Sequence, residues 1–151
     1  MLRFKTFENK DHNLLKLLTT ELQNIENSHE FKIWLEALGT PLTDTITKEQ
    51  LISGYCEDLA FYLHYKYGAP IYGAGNNTIK DGHYFVKLGE KFYDAMHSEG
   101  FSKISESEWA QRLLQRRTDL TAQMIDASTF IFDEKPWDVY IAAKPVVKPV
   151  Y

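Results

Sequence analysis

Residues 82–96 read Gly-His-Tyr-Phe-Val-Lys-Leu-Gly-Glu-Lys-Phe-Tyr-Asp-Ala-Met, two short alternating, β-rich runs on either side of Gly89-Glu90. Such runs are strands, and two residues between them make a hairpin turn. The spacing predicts strands over His83 to Leu88 and Lys91 to Ala95. A two-residue loop then pairs Leu88 with Lys91, Phe85 with Asp94 and His83 with Met96. In that register His83 and Asp94 are diagonal neighbours on one face, their Cβ atoms roughly 7 Å apart and their side chains within reach. A slip of one residue would send Asp94 to the other face. The turn therefore decides whether the two can meet.

Working outward, residues 12–27 place Leu14, Leu15, Leu17, Leu18, Leu22 and Ile25 on the apolar stripe of an amphipathic helix. Ser28 can cap a second helix, Phe31 to Leu38, which Gly39 and Pro41 end. Leu42 to Thr47 is a polar connection. Thr47 then caps a short helical turn, Lys48 to Ile52, with Gln50 at the capping-box position. A longer helix starts near Gly54, with Gly54 as N-cap and Glu57 as its capping-box partner, and runs to Tyr67 before Gly68-Ala69-Pro70. The competing assignment is one continuous helix from Lys48 to Tyr67; the break at Gly54 is favoured. Ile71 to Lys80 reads as a Gly- and Asn-rich loop.

Beyond the hairpin, Ser105-Glu106-Ser107-Glu108 opens a helix over Trp109 to Arg117, with acids in its first turn and arginines in its last. Thr129 to Phe132 and Trp137 to Ala143 are strand candidates that extend the hairpin, and Lys144 to Tyr151 is an extended tail. Helices first and strands later give an α+β fold, its N-terminal helices packed on a mostly antiparallel sheet. With no repeat or linker, the whole chain, 1–151, is expected to be one domain.

Composition narrows the function. The net charge of −4 gives no general attraction to nucleic acid or anionic lipid. No run approaches the ~20 apolar residues of a membrane span, and the start of the chain lacks a signal-peptide pattern. The expected location is the cytoplasm. A single cysteine excludes an internal disulfide. The plain alternative for that residue is a small buried hydrophobe.

That residue, Cys56, falls in the first turn of the helix that starts near Gly54. Free N–H groups and the positive end of the helix dipole favour thiolate there, and the same groups can hold an oxyanion. His83 and Asp94 share a sheet face, so one imidazole nitrogen can bond the carboxylate while the other faces a thiol. Cys56, His83 and Asp94 thus form an ordered nucleophile, base and orienter. We expect the thiol at a half-exposed cleft position within about 4 Å of the imidazole, since such contacts are often looser than ~2.6–3.2 Å without substrate. Asn76 and Asn77, in the loop before His83, are candidate substrate contacts, with turn chemistry the plain alternative. His83, Asp94 and His97 can also be read as metal ligands. The hairpin model, however, puts His97 on the other face, and no paired His or Cys motif accompanies them, so no metal is expected.

Three segments, Gly54-Tyr55-Cys56-Glu57-Asp58-Leu59-Ala60, Tyr67-Gly68-Ala69-Pro70 and Gly82-His83-Tyr84-Phe85-Val86 with Lys91-Phe92-Tyr93-Asp94-Ala95, resemble the transglutaminase-like core of the papain-like cysteine-enzyme superfamily. The resemblance spans Lys48 to Gly100 and implies Cys56 as nucleophile, His83 as base and Asp94 as third member. Gln50, six residues before Cys56, matches the oxyanion-hole glutamine of papain-like proteases. The chain departs from the pattern after His83, where Tyr84-Phe85 replaces a tryptophan frequent two places on. That bears on cross-linking more than on thiol chemistry.

The expected function is a thiol-dependent hydrolase or acyl transferase acting on amide bonds through a Cys56 thioester, as a peptidase, glutamine deamidase or transglutaminase. It needs no cofactor. Its partner is a protein, peptide or other amide substrate, not nucleic acid or a membrane. The alternative is a catalytically inactive binding module of the same fold that sequesters a protein partner or small ligand.

Overall fold

The computed structural model describes residues 9–37, 39, 46–75, 82–126 and 130–132. Its centre is a five-stranded antiparallel sheet of β1 (Ile71–Ala74), β2 (His83–Leu88), β3 (Lys91–Asp94), β4 (His97–Phe101) and β5 (Phe130–Phe132), in the spatial order β4-β3-β2-β1-β5. Leu88 pairs with Lys91 and Val86 with Tyr93, the register that the Gly89-Glu90 turn predicts. Gly89 takes φ 66°, a left-handed turn conformation that suits glycine.

Six helices accompany the sheet among the described residues: α1 (Asn9–Gln23), α2 (His29–Ala37), α3 (Lys48–Leu51), α4 (Cys56–Tyr67), α5 (Glu108–Arg116) and the single turn α6 (Ala122–Met124). Alternation along the strands divides the core in two. Val86, Leu88, Tyr93 and Ile71 face a cluster built with Leu18, Leu22, Trp34, Phe61 and Leu63 from α1, α2 and α4. Phe85, Ala74 and Phe101 face a second cluster with Trp109, Ala110 and Leu113 of α5. On α4, Phe61 and Tyr62 are fully buried. Each such side chain contributes about 1.5–3 kcal/mol, and Phe61→Ala would cost about 3–5 kcal/mol. The central helix is thereby fixed against the sheet, and so is its N-terminus.

The turn and cap chemistry at α3 holds as read. Thr47 and Gln50 form a reciprocal capping box. Ser28 Oγ accepts the Phe31 N–H at 3.2 Å. The helical run is interrupted at residues 52–55, and the Gln50 carbonyl gathers the N–H groups of Ser53, Gly54 and Tyr55. The long helix starts at Cys56 with Tyr55, not Gly54, as N-cap, and no side chain caps it, so the expected Glu57 box does not form. Gly68, at φ 71°, closes the far end.

Other expectations need correction. The first helix ends at Gln23, and residues 25–27 tighten into a 3-10 turn. Asn24 Nδ2 donates to the Thr20 carbonyl at 3.1 Å, the local competition that makes Asn a poor helix residue. Ile71–Ala74 is not loop but a strand paired on both sides, with β2 and β5. Pairing on two edges outweighs the weak strand propensity of Gly73 and Ala74. Strand β4 was not anticipated; a second two-residue turn, Ala95-Met96, folds it back so that Asp94 opposes His97. Trp137 to Ala143 and the tail from Lys144 lie outside the described residues, as do Leu38 and the Pro41 stop. No described helix is long and apolar enough to cross a membrane.

Candidate functional site

Asp94 ends β3 and is held from two sides. Its Oδ1 accepts the Met96 N–H at 3.0 Å, which locks the carboxylate into the β3–β4 turn. Its Oδ2 faces His83 Nε2 at 2.8 Å. His83 is 0 % exposed and Asp94 2 % exposed, so this pair is sealed from water. With Nε2 on the carboxylate, the other ring nitrogen, Nδ1, is left for different chemistry.

Nδ1 makes no well-aligned hydrogen bond among the described residues. The Cys56 thiol nevertheless lies near enough to influence the ring. Burial alone pulls the imidazolium pKa down, the largest single effect. The Asp94 hydrogen bond and then Cys56 oppose it, and together with both partners' charges they raise His83 to about 9.

Cys56 is 8 % exposed, more buried than the half-exposed position expected, because it faces an imidazole that is itself enclosed. It belongs to neither apolar cluster. Cys56 and Glu57 occupy the first turn of α4, where N–H groups have no intrahelical acceptor, and Tyr55 provides no cap. Donors for an oxyanion are therefore at hand beside the sulfur.

Gln50 does not contribute in the way its spacing suggests. Its Oε1 accepts the Thr47 N–H at 2.9 Å, so the carboxamide is committed to the α3 capping box. Asn76 and Asn77 lie outside the described residues. His97, expected on the other face, sits directly across from Asp94, and cross-strand partners share a face. Its Nε2 accepts the Glu108 N–H at 2.9 Å, which ties β4 to the start of α5. No metal-holding group of three or more His, Cys, Asp or Glu side chains occurs among the described residues.

Two features escaped the sequence. The Trp109 indole stacks on the His83 ring, with centroids 5.8 Å apart and planes at 16°. It covers the imidazole and is itself 6 % exposed. A cleft of about 640 Å³ lies alongside, between Ile52 and Ser53 of the α3–α4 turn and Trp109 and Arg112 of α5, with Gly82 between. A Cβ on Gly82 would meet the Ala74 carbonyl at 3.1 Å, so the chain there is tight against β1. Neither feature has a local sequence signal, since each depends on α5 folding back over β2.

No protein-family model, curated protein or solved structure matches the chain.

Proposed function

We propose that this protein is a thiol-dependent enzyme acting on amide bonds, with a papain- or transglutaminase-like core. One observation carries the reading: a fully enclosed imidazole has one nitrogen on a buried carboxylate, and the single cysteine of the chain, at a helix start, lies close enough to act on the ring. Most buried polar side-chain atoms have a hydrogen-bond partner; His83 Nδ1 has none among the described residues.

His83 Nδ1 takes the Cys56 proton, and the sulfur attacks the amide carbonyl. The tetrahedral oxyanion gathers donors from the first turn of α4. His83 returns the proton to the departing nitrogen, which leaves as an amine or as ammonia, and Cys56 keeps the acyl group as a thioester. Water, deprotonated by the same nitrogen, then releases the acid and the free thiol. An amine in place of water gives transamidation. Hydrolysis is the outcome we favour, since it needs no second substrate site. Asp94 holds the imidazole by Nε2 and offsets its charge throughout.

Reduced casein with methylamine as an acyl acceptor tests the reading. New α-amino groups report peptide hydrolysis, ammonia reports deamidation, and methylamine incorporation reports transamidation. Wild type should give one of these and a trappable thioester; Cys56→Ala should give none. Equal turnover by a folded Cys56→Ala variant would exclude thiol catalysis. A protein that retains its biological effect without Cys56 would be the binding module instead.

A further inference from the structure

The cleft beside the site has a charged wall. Among the described residues that line it, the ionisable ones are Arg112 and Arg116, both cations, in a chain whose net charge is −4. Arg112 presents its fork to a carboxylate of α3: Nη2 donates to Glu49 Oε1 at 3.0 Å, and Nη1 donates to Glu49 Oε2. The α3 helix leads directly into Ile52 and Ser53 of the cleft, so the pair links the two elements that flank it.

The two partners are held unequally. The Glu49 carboxylate has no second partner among the described residues, and its side chain is 59 % exposed. Arg112 keeps Glu108 Oε1 on its Nε at 3.3 Å, one turn back along α5. An exposed pair of this kind is easily exchanged. If Glu49 swings out, the guanidinium stays where Glu108 holds it, with two parallel N–H groups open to another carboxylate.

Its position relative to the proposed chemistry follows from α5. Trp109 and Arg112 are three residues apart, hence neighbours on one helix face with Cβ atoms about 5–6 Å apart. Trp109 is the ring stacked on His83. A carboxylate held at Arg112 therefore lies one helical turn from the indole that covers the base. An extended chain covers that interval in about two residues at ~3.3 Å each.

We propose that Arg112 selects acidic substrates, binding a carboxylate within a few residues of the reacting amide, while Glu49 occupies the fork until substrate displaces it. This rests on the thiol-enzyme reading and names its substrate class: acidic peptides and other amides bearing a nearby carboxylate.

The test uses benzyloxycarbonyl tripeptide chloromethyl ketones in which glutamate is walked through the three positions, each matched by a glutamine control. Alkylation of Cys56 is followed by intact mass at pH 9, where even an unactivated thiol reacts, and each rate is normalised to that of iodoacetamide. Wild type should prefer glutamate at one position at least, by about tenfold for a charge-assisted fork. Arg112→Gln should bring that ratio to about one. Glu49→Gln should widen it, since the resident competitor is gone. Both variants break the same ion pair, so a purely structural pair would move the ratio in the same direction in each. Opposite shifts are the signature of selection. No glutamate preference at any position, or one that survives Arg112→Gln, overturns the proposal. The iodoacetamide rate at pH 6 separates this from the underlying reading: an unreactive thiol there sinks the enzyme, while the pH 9 ratios still decide the role of Arg112.

Discussion

The two ends of α4 each hold a carboxylate among polar side chains, half-buried Glu21 at one and buried Asp94 at the other, and they are built differently. At the C-terminal end, Glu21 of α1 accepts from Tyr62, Tyr67, Lys66 Nζ at 2.9 Å and Ser28 Oγ at 3.1 Å. An ionised carboxylate has about four acceptor sites, and four donors fill them. Burial pushes the Glu21 pKa up, but the hydrogen bonds from Tyr62, Tyr67 and Lys66 prevail and lower it. Lys66 also bonds Glu30 at 2.8 Å. The cluster ties α1, α2 and α4 together and offers nothing to a ligand. At the N-terminal end, Asp94 is equally well held, but the chain of bonds stops at His83 Nδ1, with the Cys56 thiol close enough to act on the ring. The first cluster closes on itself; this one leaves a bond unmade.

The comparison breaks first, and most visibly, at Cys56. Cys56→Ala should lower turnover by at least about 10³-fold, because the proposed nucleophile is gone. Its cost in stability, read from urea denaturation, should be about 1 kcal/mol or less, since the sulfur lies outside both apolar clusters. A loss of about 2 kcal/mol or more would mean the sulfur is packing. Asp94→Asn should lower kcat by about a hundredfold or more, as the imidazole loses its orienter. It should also move the alkaline limb of the pH–rate profile from near 9 toward lower pH, because the Asp94 hydrogen bond is the largest influence raising His83. An unmoved limb would detach that carboxylate from the base.

Glu21→Gln should do the reverse: a stability loss of about 2–3 kcal/mol with the alkylation rate of Cys56 unaffected. A stable variant would show that the closed cluster does not brace the helices.

The two ends also respond to opposite extremes of pH. His83 rises from about 6.5 unfolded to about 9 folded, so its contribution is complete below pH ~6.5 and lost as pH climbs through 9. The loss is on the order of 3 kcal/mol, from ~1.4 kcal/mol per pH unit. Glu21, lowered in the fold, contributes above its unfolded value and loses that contribution as pH falls through its folded one. Thermal melts across pH should show the alkaline decline weakened in Asp94→Asn and the acid decline weakened in Glu21→Gln.

Which parts of this were legible in the sequence follows from the range of the forces involved. The Gly89-Glu90 turn is local, and its two-residue length alone puts His83 and Asp94 on one face. The Thr47–Gln50 box and the Gly68 stop were equally local. Gln50 shows the limit: its spacing from Cys56 suggested an oxyanion role, while the nearer Thr47 claimed its carboxamide. Strand β1 escaped because pairing with β2 and β5, not its own composition, makes it a strand; β4 pairs only with its chain neighbour β3, but its Ser-Glu-Gly centre carries weak strand propensity. Trp109 over His83 and Arg112 opposite Glu49 lie further still from any local signal. The Glu21 cluster joins residues 41 and 46 positions apart and leaves no periodic trace.

The central claim is that the open end of α4 holds an activated thiol, and the chain has only one cysteine to report on it. The rate of Cys56 alkylation by iodoacetamide, measured from pH 4 to 10 on the native protein, tests this most directly. A thiol that works with this imidazole should already react at a substantial rate at pH 6, where an ordinary thiol of pKa ~8.5 is slow. Glu21→Gln should leave that profile in place, and Asp94→Asn should shift it toward the ordinary one. A single rise centred near 8.5 in the wild-type protein would contradict the account.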